Sequence, residues 1–298
     1  MVTQRNGNPN AEERTVDVVI IGAGASGLMA ARTLKKAGKS VCVLEARNRV
    51  GGRTWNGKVL DDQGTEHFIE IGGQWISPDQ TRLTELVQEL GLETFDRYRE
   101  GKSVYVSPDG TRHEFEGDTF PTSEETASEM NRLIAELNQL AEEVDANAPW
   151  EHPRAKELDS QSFRDWLESL SDDSEAIDNI SLYISSGMLT KPSRTFSVLQ
   201  AALMASSAGS FDNLVDENFL LDKRVAGGMQ SVSITMAEEL GDDVILSSPV
   251  RTLEWATPDP STADAPNNVE ADVRNGVDNN GGPGTVTAYS DRAVVHAK

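Results

Sequence analysis

VDVVIIGAGASGLMAARTLKKAGKSVCVLE, residues 16–45, changes character twice over its length. Residues 16–21 are β-branched and almost continuously apolar, the pattern of a strand buried on both faces of a parallel sheet. Gly22-Ala23-Gly24-Ala25-Ser26-Gly27 follows directly. Leu28, Ala31 and Leu34 then recur at helical spacing, and Gly38 is placed to end that helix. Residues 40–44 are a second apolar strand, closed by Glu45. Strand, glycine turn, helix and strand in this order predict a βαβ unit that binds a dinucleotide. Gly22 permits the tight turn, Gly24 lets the backbone approach a pyrophosphate, and Gly27 lets helix and strand pack closely. The helix N-terminus faces the negative charge. Glu45 lies 21 residues after Gly24, the spacing of an acid that hydrogen-bonds a ribose hydroxyl. An acid there repels a 2′-phosphate, which argues against NADP. The competing reading, a plain structural glycine turn, does not explain the acid or the second strand.

The next residues, Glu45-Ala46-Arg47-Asn48-Arg49-Val50-Gly51-Gly52-Arg53, set three arginines beside a glycine pair just past the ribose position. Arg53 is the expected partner of the phosphate oxygens, since its planar fork suits them. Gly51 and Gly52 allow that approach without a side-chain clash. Arg47 reads equally as a cofactor contact or a solvated charge, and Arg49 rather as a solvated charge. The pattern E-A-R-x-R-x-G-G-R after a glycine turn resembles the FAD-dependent amine oxidases and their desaturase and oxidase relatives. That resemblance implies FAD as the cofactor, with Ala23, Ala25, Ser26 and Ala46 among its contacts. Glu70-Ile71-Gly72-Gly73-Gln74-Trp75-Ile76 is similar to the family segment that runs beside the flavin ring and its ribityl chain, which implicates Gly72, Gly73, Gln74 and Trp75. From the residues alone it reads as a strand ending in a glycine bulge with a core tryptophan.

Further along, residues 79–90 form a short amphipathic pattern stopped by Gly91, and residues 122–125 fit a capping box. Met130, Leu133, Ile134, Leu137, Leu140 and Val144 continue at helical spacing, and residues 163–170, 176–185 and 196–207 are further helical candidates. Ser186-Gly187-Met188-Leu189-Thr190-Lys191-Pro192 and Asp222-Lys223-Arg224-Val225-Ala226-Gly227-Gly228-Met229-Gln230 resemble the bacterial putrescine-oxidising branch of the amine oxidase family. In that likeness Val250 falls where the backbone contacts the adenine, and Met188 and Leu221 where side chains line the substrate cavity. Both of the latter read equally well as core packing.

These observations predict an α/β fold. A flexible N-terminus (1–15) leads into a Rossmann-type FAD-binding domain (16–78). A largely helical portion of a substrate domain is inserted (79–221), and the chain then returns to the FAD-binding domain (222–298). Within the return, residues 257–284 are rich in Pro, Asn, Asp and Gly without periodicity, the composition of a mobile loop between strands at 250–255 and 285–289.

Composition narrows the functional classes. A 37% hydrophobic and 26% charged content fits a folded globular protein rather than a disordered one. With 27 basic and 49 acidic residues the formal net charge is −22, which argues against nucleic acid and anionic lipid as partners. Cys42 is the one cysteine, and the four histidines show no metal-ligand spacing. The first fifteen residues are polar, unlike the core of a signal peptide, so a cytoplasmic location is expected.

Members of the resembled family continue well beyond the position of Lys298. The lysine near the flavin, the aromatic walls of the amine site and the last FAD segment are therefore expected outside this chain, which by itself would be inactive. No catalytic residue and no metal ligand is assigned within it. The resemblance implies oxidation of a primary amine, putrescine above all. Hydride passes to the flavin, the imine hydrolyses to an aminoaldehyde and ammonia, and O2 takes up the electrons as hydrogen peroxide. The partners are then a small cationic amine and O2, with homodimerisation left open. The alternatives are a relative acting on a monoamine, polyamine or L-amino acid, and a catalytically silent nucleotide-binding module.

Overall fold

A computed structural model describes residues 11–117, 120–216, 219–256 and 285–297. The chain divides into two compact units, one made of Met1–Gln74, Glu85–Thr94 and Arg224–Lys298, the other of Trp75–Thr84 and Phe95–Lys223. The changeovers fall a few residues from the expected junctions at 78/79 and 221/222, and residues 85–94 go with the first unit.

In the first unit β2 (Val18–Ile21) and β3 (Val41–Leu44) run parallel, with Val18 opposite Val41 and Ile21 opposite Leu44. Helix α1 (Ala25–Lys36) makes the crossover, and Val244–Ile245 pairs parallel with the other side of β3. β3 is buried along its whole length, as its four apolar residues require. A buried guanidinium fixes α1 to the helix Gln230–Leu240: Arg32 donates to both carboxylate oxygens of Glu239, and Glu89 lies 3.1 Å from it. Those two acids in turn hold the Arg32 pKa above its ordinary value.

The single strand expected over 16–21 is broken at Asp17. Its carboxylate accepts hydrogen bonds from the backbone N–H and the hydroxyl of Ser40, which turns the chain out of line. Of the tail expected to be flexible, the described part from residue 12 on is instead a strand. Strand β1 (Glu12–Val16) pairs in parallel with Ala293–Ala297, the start of a four-stranded sheet completed by Thr285–Ser290 and Val250–Ala256. Its sequence, EERTV, has no apolar run to announce a strand. The pairing comes from a partner some 280 positions away, assisted by Glu13 facing His296 at 3.1 Å. Residues 1–10 and the tract 257–284, read as a mobile loop, lie outside the described residues. A hairpin of β4 (Asn56–Leu60) and β5 (Glu66–Glu70) completes the unit.

The second unit buries a helical core. Leu133 and Leu137 from Glu124–Glu143, Phe163 and Leu167 from Phe163–Leu170, Ile180 from Ser174–Leu182 and Phe211 are in one cluster, all fully buried. Side-chain caps start these helices: Ser123, Ser162, Asp173, Ser197 and Ser210 each accept the N–H three residues on. The predicted capping box at 122–125 is therefore displaced by one residue, with Ser123 capping through Thr126 N–H at 3.1 Å. The expected helix 176–185 starts earlier, at Ser174, and beyond Leu182 widens into a π-helical turn, Tyr183–Leu189, that ends at Thr190 with φ of 50°. Among the described residues no helix is long and apolar enough to cross a membrane.

Phe163 packs against Trp166 and Phe196, with ring centroids 6.0 and 5.7 Å away, and has no exposed surface. Phe163→Ala is expected to lower unfolding stability by about 3–5 kcal/mol in denaturant titration, the transfer and cavity cost of a fully buried ring.

Candidate functional site: a glycine-lined anion cradle

The site is assembled within the first unit at the C-terminal ends of β2 and β3. Gly22 turns the chain with φ of 100° and donates its N–H to Leu44 O at 2.8 Å. Gly24 caps α1 in an extended conformation with no side-chain hydrogen bond, and the first turn of the helix carries no acid. By helix geometry the N–H groups of Ala25, Ser26 and Gly27 have no intrahelical acceptor. A Cβ at Gly27 would overlap the Gly22 carbonyl, so this glycine exists for close packing of helix on turn. A Cβ at Gly24 would meet nothing, which leaves open space in front of the helix N-terminus.

Glu45 ends β3 and is 5% exposed. One carboxylate oxygen accepts from Ala23 N–H at 2.7 Å and the other from Arg47 N–H at 2.8 Å. The acid thus ties the glycine turn to the arginine loop, and its remaining lone pairs are available to a ligand hydroxyl. Gly51 N–H donates to Ala23 O at 2.8 Å and draws the loop back across the turn, where a Cβ at Gly52 would sit 3.4 Å from Gly24 Cα.

The loop directs its carbonyls inward. Arg49 donates to the carbonyls of Val50, Gly52 and Thr54 at 3.1–3.2 Å and lies over the Trp55 ring, 5.0 Å from its centroid. It is a loop clasp, not the solvated charge the sequence suggested. Gly51 O accepts from Thr54 N–H and hydroxyl, and Arg53 O from Gly73 N–H. The N–H groups of Gly52 and Arg53 have no partner among the described residues, and neither do the exposed side chains of Arg47 and Arg53. Carbonyls consumed, amides and guanidinium groups left over: this chemistry receives an anion.

The loop is held from outside by residues to which the sequence reading assigned no such role. Gln230, 6% exposed, donates to Val50 O and accepts from Asn56 N–H, both at 2.7 Å. Glu70, whose side chain is 2% exposed, accepts from Met229 N–H at 2.6 Å and pairs with Arg224 at 2.5 Å. The signal for this latch was the pair Gly227-Gly228. Both have positive φ, and a Cβ at Gly228 would overlap Asn56 and Phe68.

Other expected residues fall as follows. The N–H groups of Ser247 and Ser248 donate to the carbonyls of Arg47 and Glu45, which brings the segment leading to Val250 alongside Ala46 and its neighbours. Gly72 makes its close approach to protein: a Cβ there would overlap Arg53 O. Gly73 follows it, Gln74 closes the unit, and Trp75 belongs to the other unit. In that second unit Met188 packs against the helical core, and Leu221 adopts φ of 55° and donates its N–H to Ser77 Oγ at 3.2 Å. Cys42 lies buried on β3, and burial pushes its thiol pKa up, away from nucleophilic use. The described residues hold no group of three His, Cys, Asp or Glu able to bind a metal.

Comparison with known proteins places these features in a wider set. The family model of flavin containing amine oxidoreductases matches residues 25–279. A putrescine oxidase of Kocuria rosea is 56% identical, aligned over 100% of this chain and 58% of its own length. The solved structure of a wild-type putrescine oxidase bound to putrescine superposes with a TM-score of 0.82 at 52% identity, over 96% of this chain and 57% of the other. Cyclohexylamine oxidase from Brevibacterium oxydans IH-35A gives a TM-score of 0.75 at 27% identity, over 97% and 56%. The chain thus spans less than two thirds of the length of these relatives.

Gly72 and Gly24 make a matched test of the geometry. Gly72→Ala is expected to lower the stability of the ligand-free protein by about 1–3 kcal/mol, because the new methyl meets backbone. Gly24→Ala should cost about 1 kcal/mol or less, the difference between glycine and alanine as a helix cap. Thermal unfolding of the two variants checks both.

Proposed function

Because the chain belongs to the family of flavin-containing amine oxidoreductases, we propose that the cradle holds the ADP half of an FAD and that the protein oxidises a primary amine, putrescine. The observation that carries this reading is the loop of residues 50–54, whose carbonyls are engaged while its Gly52 and Arg53 amides and the Arg53 guanidinium have no partner among the described residues. The group fits the residues present. Open space fronts Gly24, a side chain at Gly52 would intrude on it, and the acid at the end of β3 retains lone pairs for a ribose hydroxyl. The N-terminus of α1, the Gly52 and Arg53 amides and the Arg53 guanidinium would share the pyrophosphate charge, with Arg47 at its edge. The backbone at Val250 would take the adenine, and Gly73 and Gln74, with Trp75 after them, would continue toward the flavin. When bound, the flavin supplies a two-electron acceptor that O2 restores, so the expected products are an aminoaldehyde, ammonia and hydrogen peroxide.

This chain's own contribution to catalysis is to bind and orient the cofactor. Its net charge of −22 contributes at longer range by raising the local concentration of a dication. A cytoplasmic location belongs to the same reading.

Two measurements test the proposal. In titrations of the apoprotein followed by flavin fluorescence, Arg53→Ala should weaken FAD binding by about 1.5–3 kcal/mol, the value of a hydrogen bond to a charged group. Unchanged affinity would remove Arg53 from the site. In a peroxide-coupled assay of the complete protein, putrescine should be turned over in preference to a monoamine or an L-amino acid. A preference for either of those would replace the substrate and leave the cofactor site standing.

A further inference from the structure

We propose that Gln230 is a positioning residue for the cofactor: it sets the affinity of the pyrophosphate loop from 180 positions away without touching the ligand. The inference rests on the FAD reading above. Gln230 begins the helix Gln230–Leu240, and its amide closes both ends of the turn that carries Gly51, Gly52 and Arg53. The Nε2 group donates to Val50 O at the start of the turn, and Oε1 accepts from Asn56 N–H just after it, each at 2.7 Å. Asn56 Nδ2 returns the contact to Gly227 O at 2.8 Å. The fit is close enough that a Cβ on Gly51 would stand 2.9 Å from Gln230 Cγ.

Only a side chain with one donor and one acceptor, side by side, satisfies both ends of the turn. Arg49 also donates to Val50 O, at 3.2 Å, but it belongs to the loop and cannot fix the loop to the rest of the unit. Gln230 can, because the segment that bears it is anchored separately. Glu70 accepts from Met229 N–H and pairs with Arg224. If the amide is lost, Val50 O keeps a weaker partner and Asn56 N–H keeps none. The turn then has more conformations to lose when it closes on a pyrophosphate, and affinity falls by that entropy.

A pH-dependent variant separates positioning from mere filling of space. In Gln230→Glu the protonated acid reproduces the amide, donating to Val50 O and accepting from Asn56 N–H. The ionised acid can only accept, and it confronts the Val50 carbonyl. Burial raises the pKa of such a carboxyl, while Arg49, Arg53 and Arg224 oppose that rise and Glu70 reinforces it. The expected result, as a ratio to wild type at the same pH, is FAD affinity reduced about tenfold at about pH 8 and restored at about pH 5. Gln230→Met, similar in volume but without the hydrogen bonds, should lose a similar factor at both values. Circular dichroism at each pH verifies that the compared proteins are folded. Folded variants that bind FAD as wild type does at both values overturn the inference. A wild-type protein that does not bind FAD overturns the cofactor reading instead.

Discussion

One buried carboxylate organises the glycine turn and the arginine loop of the first unit. Glu45 stands where β3 leaves the sheet, and its two oxygens accept N–H groups from the glycine turn and from the arginine loop. A buried carboxylate is costly unless its lone pairs are satisfied, so the two segments cannot drift from it without leaving a charge unpaired. Gly51 N–H to Ala23 O adds a second tie between the same segments. Once they are fixed together, the orientation of the loop follows. Arg49, Thr54 and Gly73 take up its carbonyls, and the amides of Gly52 and Arg53 are what remains.

The result is an electropositive cradle in a protein with 49 acidic and 27 basic residues. Net charge acts over the distance of the screened field, about 8 Å at physiological salt, whereas the cradle works at hydrogen-bond range. The two therefore do not compete. The acidic surface bears on which solutes approach, and the backbone amides with two exposed arginines bear on which group is held. Arg49 marks the boundary between these roles. It is an arginine like Arg47 and Arg53, but its fork is spent on three carbonyls, so it adds rigidity rather than reach.

The cradle was legible in the sequence wherever one local pattern determines the geometry. Residues 22–27, Glu45 and the Gly51-Gly52 pair could be placed because a strand, a turn and a helix in succession leave little freedom. Phe163–Leu170 was legible as a helical candidate, and the structure adds the Ser162 cap in front of it. What escaped was set by distant partners. EERTV gave no sign of a strand because its partner is Ala293–Ala297, and the break at Asp17 depends on Ser40. Gln230 was quoted only as the end of a glycine-rich turn. Nothing near it in sequence shows that its amide spans Val50 and Asn56.

The glycines of the motif further show why a matching pattern does not assign its own causes. Gly24 and Gly72 both read as places where backbone nears a cofactor. Gly24 is compatible with that reason, since a side chain there would meet no protein atom within 4 Å. Gly72 is required before any ligand arrives, because a side chain would strike the Arg53 carbonyl. Its closeness to Arg53 still bears on the site, because that same carbonyl accepts Gly73 N–H and so fixes the backbone that presents the arginine. Packing at Gly72, the amide of Gln230 and the carboxylate of Glu45 approach the loop from different parts of the unit. Each fixes a different atom of it: Glu45 the Arg47 amide, Gln230 the Val50 carbonyl, and Gly72, by close contact, the Arg53 carbonyl.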